Sequence, residues 1–354
     1  MKMQHMSLLF NAVKHLHGVR RFSTTVTKFR PLNEVLKTVE PYSKIRIRCN
    51  CNLDIVPYDL IDCPDSNLLK FTADNASFGV NIDVNGREVN IVDNNNGSSK
   101  ANCTLEIPVQ ADLDIVNAGD TYVSNLYSDN IRIEAEGNIV TKCLRNTTID
   151  LRSSNGNISC EGITLAQTIK VVTTGRGEIL LDKLQGGEVE AETNYGNIHV
   201  NSSYSNRSRF STQNGDLILK NIHKLCQVKS CGPGKLIMNG FYGTLEAEVA
   251  SQEVALQLSE TLGESSVIAK SAENFDLAIS DIVSENAEIC IECDHLAIDP
   301  TLSGGKKVQT NEPGKTVLGK RNSENRLKIV TKGTVSLRKM SWTDSFGFDI
   351  RNEE

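Results

Sequence analysis

The sequence predicts an all-β protein built as a β-solenoid, in which parallel coils of about 19–20 residues stack and each coil holds two short strands. Three observations predict this fold: glycines recur at a nearly constant interval, alternating apolar residues follow each glycine, and aromatic residues make up only 5% of the chain. A thin, repetitive core has little room for large rings, because each layer holds only a few aliphatic side chains.

The glycine period is the strongest of these signals. Successive spacings are 19, 21, 19, 19 and 19 residues. Asn155-Gly156 and Asn214-Gly215 are turn dipeptides that tolerate a positive φ, so we expect the glycine to be required for reversing the chain once per coil. The predicted turn glycines are Gly137, Gly156, Gly177, Gly196, Gly215 and Gly234.

Residues two apart on a strand share one face, so the first apolar residue after each glycine should point inward in every coil. A hairpin meander or sandwich is the structural alternative, because it also alternates strands and turns. A stack is favoured, since equivalent positions keep their character from one repeat to the next. The predicted core file is Ile158, Ile179, Ile198, Leu217 and Leu236.

Two polar columns support the same register. Hydroxyl residues precede each turn and could hydrogen-bond from coil to coil, and charged residues of alternating sign could pair along the outer surface. The hydroxyl column is Ser153, Thr173, Thr193, Thr212 and Ser230, and the charged column is Asp150, Lys170, Glu190 and Arg209.

The predicted domain organisation follows from where the repeat is clear. Residues 1–22 form a mitochondrial transit segment, 23–40 a linker and 41–340 the solenoid, with its clearest repeats at 116–240. Residues 303–325 are rich in Gly, Lys, Asn and Glu and are predicted to form an exposed loop. Residues 341–354 carry Trp342, Phe346 and Phe348, which we expect to cap the end of the stack.

The N-terminus is basic and contains no acidic residue before Glu34. Leu9, Val13 and Leu16 share one face of a helix, and Arg20-Arg21-Phe22-Ser23 resembles a matrix-protease cleavage site. The sequence therefore predicts a helical import segment and a location in the mitochondrial matrix, with a short basic surface helix as the alternative. No stretch approaches the roughly 20 apolar residues of a membrane-spanning helix.

Net charge bears on the class of partner. The chain carries 38 basic and 44 acidic residues, and cleavage after Phe22 leaves 34 against 44, a net charge of −10. Nucleic-acid binding needs a basic face, so an acidic body argues against nucleic acid as the main partner. The ten cysteines are too dispersed for the dense disulfide framework of a small secreted domain.

The repeated pattern S/T-x-N/Y-G-N/D-I/L-x-V/L resembles the adhesin-type β-solenoid family, which is widespread in bacteria, and the whole chain is similar to uncharacterised animal members of that family. The repeat covers roughly residues 100–300. The resemblance implies a stacked β fold and, from the family name, a role in adhesion. It supplies no catalytic residues.

No catalytic, cofactor-binding or metal site is predicted. Cys290 and Cys293 form a lone C-x-x-C, whereas zinc requires two further ligands, so core or edge cysteines are favoured over a redox pair. The segment Gly314-Lys315-Thr316 resembles the end of a phosphate-binding loop, but Gln309 occupies the position where that motif needs glycine.

Pairs of glutamates two residues apart are the remaining catalytic candidates, because two carboxyl groups can cleave glycosidic bonds. Solubility of an exposed sheet is the simpler interpretation. The pairs are Glu190 with Glu192 and Glu246 with Glu248, and the histidines of the mature chain are His199, His223 and His295.

Three functional hypotheses remain. The first is a non-enzymatic matrix protein that binds a protein partner on a flat β face. The second is an extracellular or surface adhesin-like protein with oxidised cysteines and glycosylated sequons. The third is a carbohydrate-active β-helix enzyme. Neither the partner nor the oligomeric state follows from the sequence.

Overall fold

The computed structural model describes residues 33–59, 61, 64–94, 101–302, 308–309 and 314–341. Within these residues the chain is almost entirely β-strand, with one short helix. The predicted transit segment and the aromatic cap at Trp342, Phe346 and Phe348 lie outside them. The all-β solenoid prediction is confirmed, because strands of consecutive repeats pair in parallel, residue by residue.

The N-terminal strands precede the regular repeats. They are β1 (Asn33–Thr38), β2 (Lys44–Cys49), β3 (Asn52–Pro57), β4 (Leu68–Ala73), β5 (Val80–Asn85), β6 (Glu88–Asp93), β7 (Asn102–Ile107), β8 (Asp112–Asn117) and β9 (Thr121–Ser124). The regular repeats contain β10 (Asn130–Ala135), β11 (Ile139–Lys142), β12 (Arg145–Ser153), β13 (Ile158–Thr173), β14 (Ile179–Thr193), β15 (Ile198–Thr212), β16 (Leu217–Lys220), β17 (His223–Ser230) and β18 (Leu236–Val249).

The C-terminal elements complete the stack. They are β19 (Glu253–Thr261), β20 (Glu264–Ala269), β21 (Asn274–Ile279), α1 (Asp281–Asn286), β22 (Ala287–Glu292), β23 (His295–Ile298), β24 (Val308–Gln309), β25 (Lys315–Gly319), β26 (Asn325–Thr331) and β27 (Thr334–Lys339). Strand β25 lies inside the predicted exposed loop 303–325, and this part of the prediction differs from the structure. Its backbone pairs antiparallel with β22, which supplies the hydrogen bonds that a loop would lack.

Each regular coil has three sides. The short side follows the glycine turn and the long side precedes the next one, while the connecting side joins the two. In β13, for example, the short side begins at Ile158 and the long side ends at Thr173, and the strand continues through both. The two predicted strands of this coil are therefore joined, because the corner at Cys160–Ile163 is made by a shift of register rather than by a turn.

The predicted core residues stack one on another along the short side. Ile158 pairs with Ile179, which pairs with Ile198, and the file continues through Leu217 to Leu236. All five side chains are 0% exposed. Burying one such aliphatic side chain contributes about 1.5–3 kcal/mol, so repetition of this small layer supplies the core.

The six turn glycines are required for a different reason from the predicted one. None of them has a positive φ. Instead, each lies directly on the turn of the preceding coil, where a Cβ on Gly177 would approach Gly156 O to 2.0 Å and a Cβ on Gly196 would approach Gly177 O to 1.9 Å. Close stacking of backbones, rather than chain reversal, therefore excludes a side chain at these positions.

The polar columns behave partly as expected. Thr173 Oγ1 donates to Thr193 Oγ1 at 2.8 Å, but Ser153 Oγ donates to Gly137 O of the preceding turn at 2.8 Å. In the charged column, Lys170 pairs with Glu190 at 2.9 Å. Asp150 instead pairs with Arg152 on its own strand, because residues two apart share the same face.

A ladder of turn side chains accompanies the glycines. Asn138 Oδ1 accepts the Asn157 N–H at 2.9 Å, and Asn157 Oδ1 accepts the Glu178 N–H at 2.8 Å. Asn197 repeats this contact with the Asp216 N–H at 2.8 Å. The side chain of each turn thereby satisfies a backbone N–H donor of the next turn.

Candidate functional site

The connecting side carries a row of outward side chains that the sequence reasoning missed. Strand register places Arg145 beside Leu165, Leu165 beside Gln185 and Gln185 beside Tyr204. Tyr204 then stacks on His223, which is in register with Tyr242. We call this set the tyrosine row, and it consists of Tyr127, Arg145, Leu165, Gln185, Tyr204, His223 and Tyr242.

Three rings of the row stack on one another. The Tyr204 and His223 ring centroids are 4.6 Å apart with the ring planes tilted by 31°, and those of His223 and Tyr242 are 4.8 Å apart with an interplanar angle of 7°. These distances equal the spacing of neighbouring strands, so the coil repeat itself sets the stack. Both faces of His223 and one face of each tyrosine are covered by another ring, so these three residues present mainly ring edges and the two tyrosine hydroxyl groups to a partner.

Four side chains of the row are exposed and largely apolar. Tyr127 is 47% exposed, Tyr204 45%, and Leu165 and Tyr242 each 40%. Further exposed apolar residues flank the row at Ile163 and Leu262. Tyrosine and arginine side chains grouped in one column are enriched at interaction surfaces, whereas single exposed apolar residues are common everywhere.

Two cations lie over rings of the row. The Arg145 guanidinium carbon is 5.4 Å from the Tyr127 ring centroid, and Lys183 Nζ is 5.8 Å from the Tyr204 ring centroid. Neither cation takes part in an ion pair formed among the described residues. Both are therefore positioned by cation–π contact and remain available to an anion.

The surroundings of His223 disfavour its charged form. Burial between the two tyrosine rings lowers its pKa from the ordinary 6.5, and the neighbouring Lys224 lowers it further. Burial also lowers the pKa of His199 on the short side. The third histidine of the mature chain, His295, begins β23 at the C-terminal end and is exposed. The structure therefore does not bring the three histidines together.

The second glutamate pair lines a shallow concavity of about 540 Å³ on the long side. Gln227 Nε2 donates to Glu246 at 2.7 Å, while Lys270 pairs with Glu248 and lowers its pKa. A general acid would need a raised pKa, and its carboxyl group would have to remain protonated. Glu190, from the first pair, is bound by Lys170. These contacts fit a solvated charge network better than a hydrolytic site.

The C-x-x-C cysteines lie in different environments. Cys290 is half-buried, whereas Cys293 is buried and donates to His295 O at 3.3 Å. Burial raises the pKa of both thiols. In the ranges that the structure covers, no group of three or more His, Cys, Asp or Glu side chains is arranged to hold a metal ion.

A second group of thiols surrounds Cys51. Its Sγ lies 3.7 Å from Cys49 Sγ. Hydrogen bonds to Cys103 and Cys49, together with burial, raise the pKa of Cys51 strongly. Such thiols are poor nucleophiles, because only the thiolate reacts.

The phosphate-loop resemblance has no counterpart in the structure. Gly314 adopts a φ of +80°, and Lys315–Thr316 begin β25 instead of a helix. Among the described residues, no helix has the length and hydropathy needed to cross a membrane.

A signal for the tyrosine row was present in the sequence. Tyr204, His223 and Tyr242 follow one another at intervals of 19 residues, which is the glycine period. Arg145, Leu165 and Gln185 continue the row at intervals of 20. Ring-bearing residues at the repeat period must share one column of the stack.

Comparison with known proteins gives one family and several structures. Crystal structures of proposed adhesins are similar to this chain. The protein from Bacteroides fragilis is 12% identical, with a TM-score of 0.36, and the match covers 87% of this chain and 96% of that one. The protein from Parabacteroides distasonis is 11% identical, with a TM-score of 0.37, and the match covers 86% and 96% respectively.

A protein from Parabacteroides merdae, also a proposed adhesin, is 12% identical with a TM-score of 0.35, over 86% of this chain and 95% of that one. The family model described as Toastrack DUF4097 matches residues 69–289, which is more than half of the chain and includes every residue of the tyrosine row. The chain therefore belongs to the Toastrack DUF4097 family.

Proposed function

We propose that this protein is a non-enzymatic binding protein and that the tyrosine row is its recognition surface. The observation that carries the proposal is the row itself, in which exposed rings lie beside two cations that have no carboxylate partner among the described residues. Tyrosine and arginine are enriched among the residues that dominate binding energies at interfaces.

Rigidity supports the same proposal. The row is attached to strands whose inward residues, such as Leu184 and Ile222, are 0% exposed. A partner would therefore meet side chains that are already ordered, which lowers the entropic cost of association. The catalytic alternative has the concavity lined by Glu192, Glu246 and Glu248, but Glu248 is paired with Lys270 and Glu246 accepts from Gln227, contacts that fit a charge network better than a hydrolytic site.

A location in the mitochondrial matrix is a separate part of the proposal. It is supported by the acid-free, basic N-terminus and by the nine described cysteines, which are free thiols. Fusion of residues 1–30 to a fluorescent reporter should direct the reporter into mitochondria. A reporter that remains outside would favour the extracellular or surface alternative.

Proximity labelling in intact cells tests the binding role. The double variant Tyr204→Ser/Tyr242→Ser should lose a defined subset of labelled proteins that the wild-type chain retains. The matched control is Tyr42→Ser/Tyr195→Ser, which removes two tyrosines that are at least as exposed but lie elsewhere. Both variants are first compared by circular dichroism and thermal unfolding. Identical labelling by wild type and row variant would refute the tyrosine row as the recognition surface.

A further inference from the structure

We infer that the partner offers an extended acidic polypeptide segment with apolar side chains to the tyrosine row. This inference rests on the proposed function and specifies the chemistry of the ligand. The segment lies along the row, with carboxylates on Arg145 and Lys183 and apolar side chains against Leu165 and the tyrosine rings.

Charge complementarity is the first reason. The chain as a whole is acidic, with a formal net charge of −6, yet the row has cations without carboxylate partners in the described structure. On the long side, by contrast, several cations have carboxylate partners, as in Lys170–Glu190 at 2.9 Å and Arg207–Glu188 at 3.4 Å. A local excess of positive charge on an acidic protein selects for an anionic partner and against a cationic one.

The spacing of the charges is the second reason. Arg145 lies two coils away from Gln185 in the register of the row. Lys183 precedes Gln185 by two residues on the same strand, so Arg145 and Lys183 are roughly 10 Å apart along the stack. An extended peptide rises about 3.3 Å per residue, so carboxylates about three residues apart would reach both. A nucleic-acid strand carries a phosphate about every 3.4 Å and would leave most of them unpaired here.

The apolar character of the row is the third reason. Leu165 lies between the two cations, and Ile163 and Leu262 flank the row. Neutral sugars would stack on ring faces, but both faces of His223 and one face of each neighbouring tyrosine are covered by another ring. A peptide that mixes carboxylates with aliphatic side chains matches both the charges and the exposed apolar side chains of the row.

Fluorescence anisotropy with the purified full chain tests the inference. The probe is a fluorescein-labelled decapeptide with glutamates at positions 4 and 7 and leucines between them, and the control probe has lysines at those two positions. We expect the glutamate peptide to bind at least about tenfold more tightly, with affinity falling as salt is raised. Equal binding of the two peptides would overturn the inference.

Charge reversal provides the second arm. Arg145→Glu/Lys183→Glu should weaken binding of the glutamate peptide by about tenfold or more and should improve binding of the lysine peptide. Lys332→Glu, a single charge reversal at an exposed residue outside the row, should leave both affinities within about twofold. The neutral variant Arg145→Gln/Lys183→Gln should give an intermediate loss, and it serves as the test if the reversed variant fails to fold.

Competing partner classes are measured in the same assay. Tighter binding of labelled oligothymidine or of a labelled acidic oligosaccharide than of the glutamate peptide would overturn the inference. If the peptide fails to bind but cellular labelling still depends on Tyr204 and Tyr242, the binding role stands and this inference fails. If neither depends on the row, both fail.

Discussion

The order in which the coils pair differs between the middle of the stack and its two ends. From β10 to β18, coils lie in the order of the sequence, and each pairs with the coils just before and after it. At the N-terminal end, the first coil, β2–β3, is inserted between β6–β7 and β8–β9. At the C-terminal end, the last coil, β26–β27, is inserted between β20–β21 and β22–β23.

This difference shows how a repeat protein can terminate. A stack in pure sequence order would leave its first and last coils with one neighbour each, and they would fray. Here each terminal coil has neighbours on both sides, and antiparallel strands cover the outer layers: β5 pairs with β6, β4 with β7 and β25 with β22. The cost is long-range pairing, which must close larger loops of chain.

The largest expected effect comes from a substitution that prevents close stacking of the regular repeats. Gly196→Ala would place a Cβ 1.9 Å from Gly177 O, so neighbouring coils must move apart. We expect the free energy of unfolding to fall by about 2–4 kcal/mol in urea denaturation. Gly79→Ala, at the N-terminal end, meets only Asn94 Nδ2 at 3.7 Å and should change stability by less than about 0.5 kcal/mol. Equal losses would contradict the stacking explanation.

The inserted first coil should be as sensitive to loss of a core side chain as the regular repeats are. Ile55 in β3 and Ile198 in β15 are both 0% exposed, so Ile55→Ala and Ile198→Ala should each cost about 2–5 kcal/mol. Val84→Ala, in the outer strand β5 where the side chain is half-buried, should cost about 1 kcal/mol or less. Denaturant unfolding measures all three. A loss for Ile55→Ala below half that for Ile198→Ala would mean that the first coil frays despite its insertion.

A smaller effect is expected from the turn ladder. Asn157→Ala removes the acceptor of the Glu178 N–H, which lies 2.8 Å away, and should cost about 1 kcal/mol. Asn155→Ala, in the same turn, removes only a 3.3 Å contact to Ser154 Oγ at the surface and should be nearly neutral. Thermal unfolding of the two variants distinguishes stabilisation by the hydrogen bonds of the ladder from stabilisation by the general preference of asparagine for turns. If Asn157→Ala leaves stability unchanged, the asparagine ladder does not stabilise the regular repeats.

The smallest effect concerns pH. The pKa values of His199 and His223 lie below the ordinary 6.5 in the folded chain, so the unfolded chain binds protons first as the pH falls. The stability that these two neutral histidines contribute is present above about pH 6.5 and declines as the pH drops below it. His199→Asn/His223→Asn should flatten this part of the stability profile between about pH 7.5 and 5.5. An unchanged slope would contradict the burial of these imidazoles in the stack.

The regular repeats were predictable because their signals are local and periodic. The spacing of Gly156, Gly177 and Gly196 set the coil length, and the apolar residues after them set the inward face. The same period also marked the rings of the tyrosine row as one column, although the sequence reasoning did not use it. The reason for the glycines was wrong, since turn dipeptides suggested a positive φ and only stacked backbones revealed the contact between successive turns.

The sequence by itself determined the coil length, the inward file from Ile158 to Leu236 and the class of fold, because each depends on residues one repeat apart. Only the tertiary structure decided the order of the terminal coils and the strand Lys315–Gly319, because these depend on pairing between segments that are not one repeat apart in the chain. It also decided that Arg145 and Lys183 have no ion pair among the described residues, whereas Lys170 and Arg207 on the long side are paired. Periodicity specifies the repeated coils and the column of rings at Tyr204, His223 and Tyr242, whereas the ends of the stack are set by contacts that do not repeat.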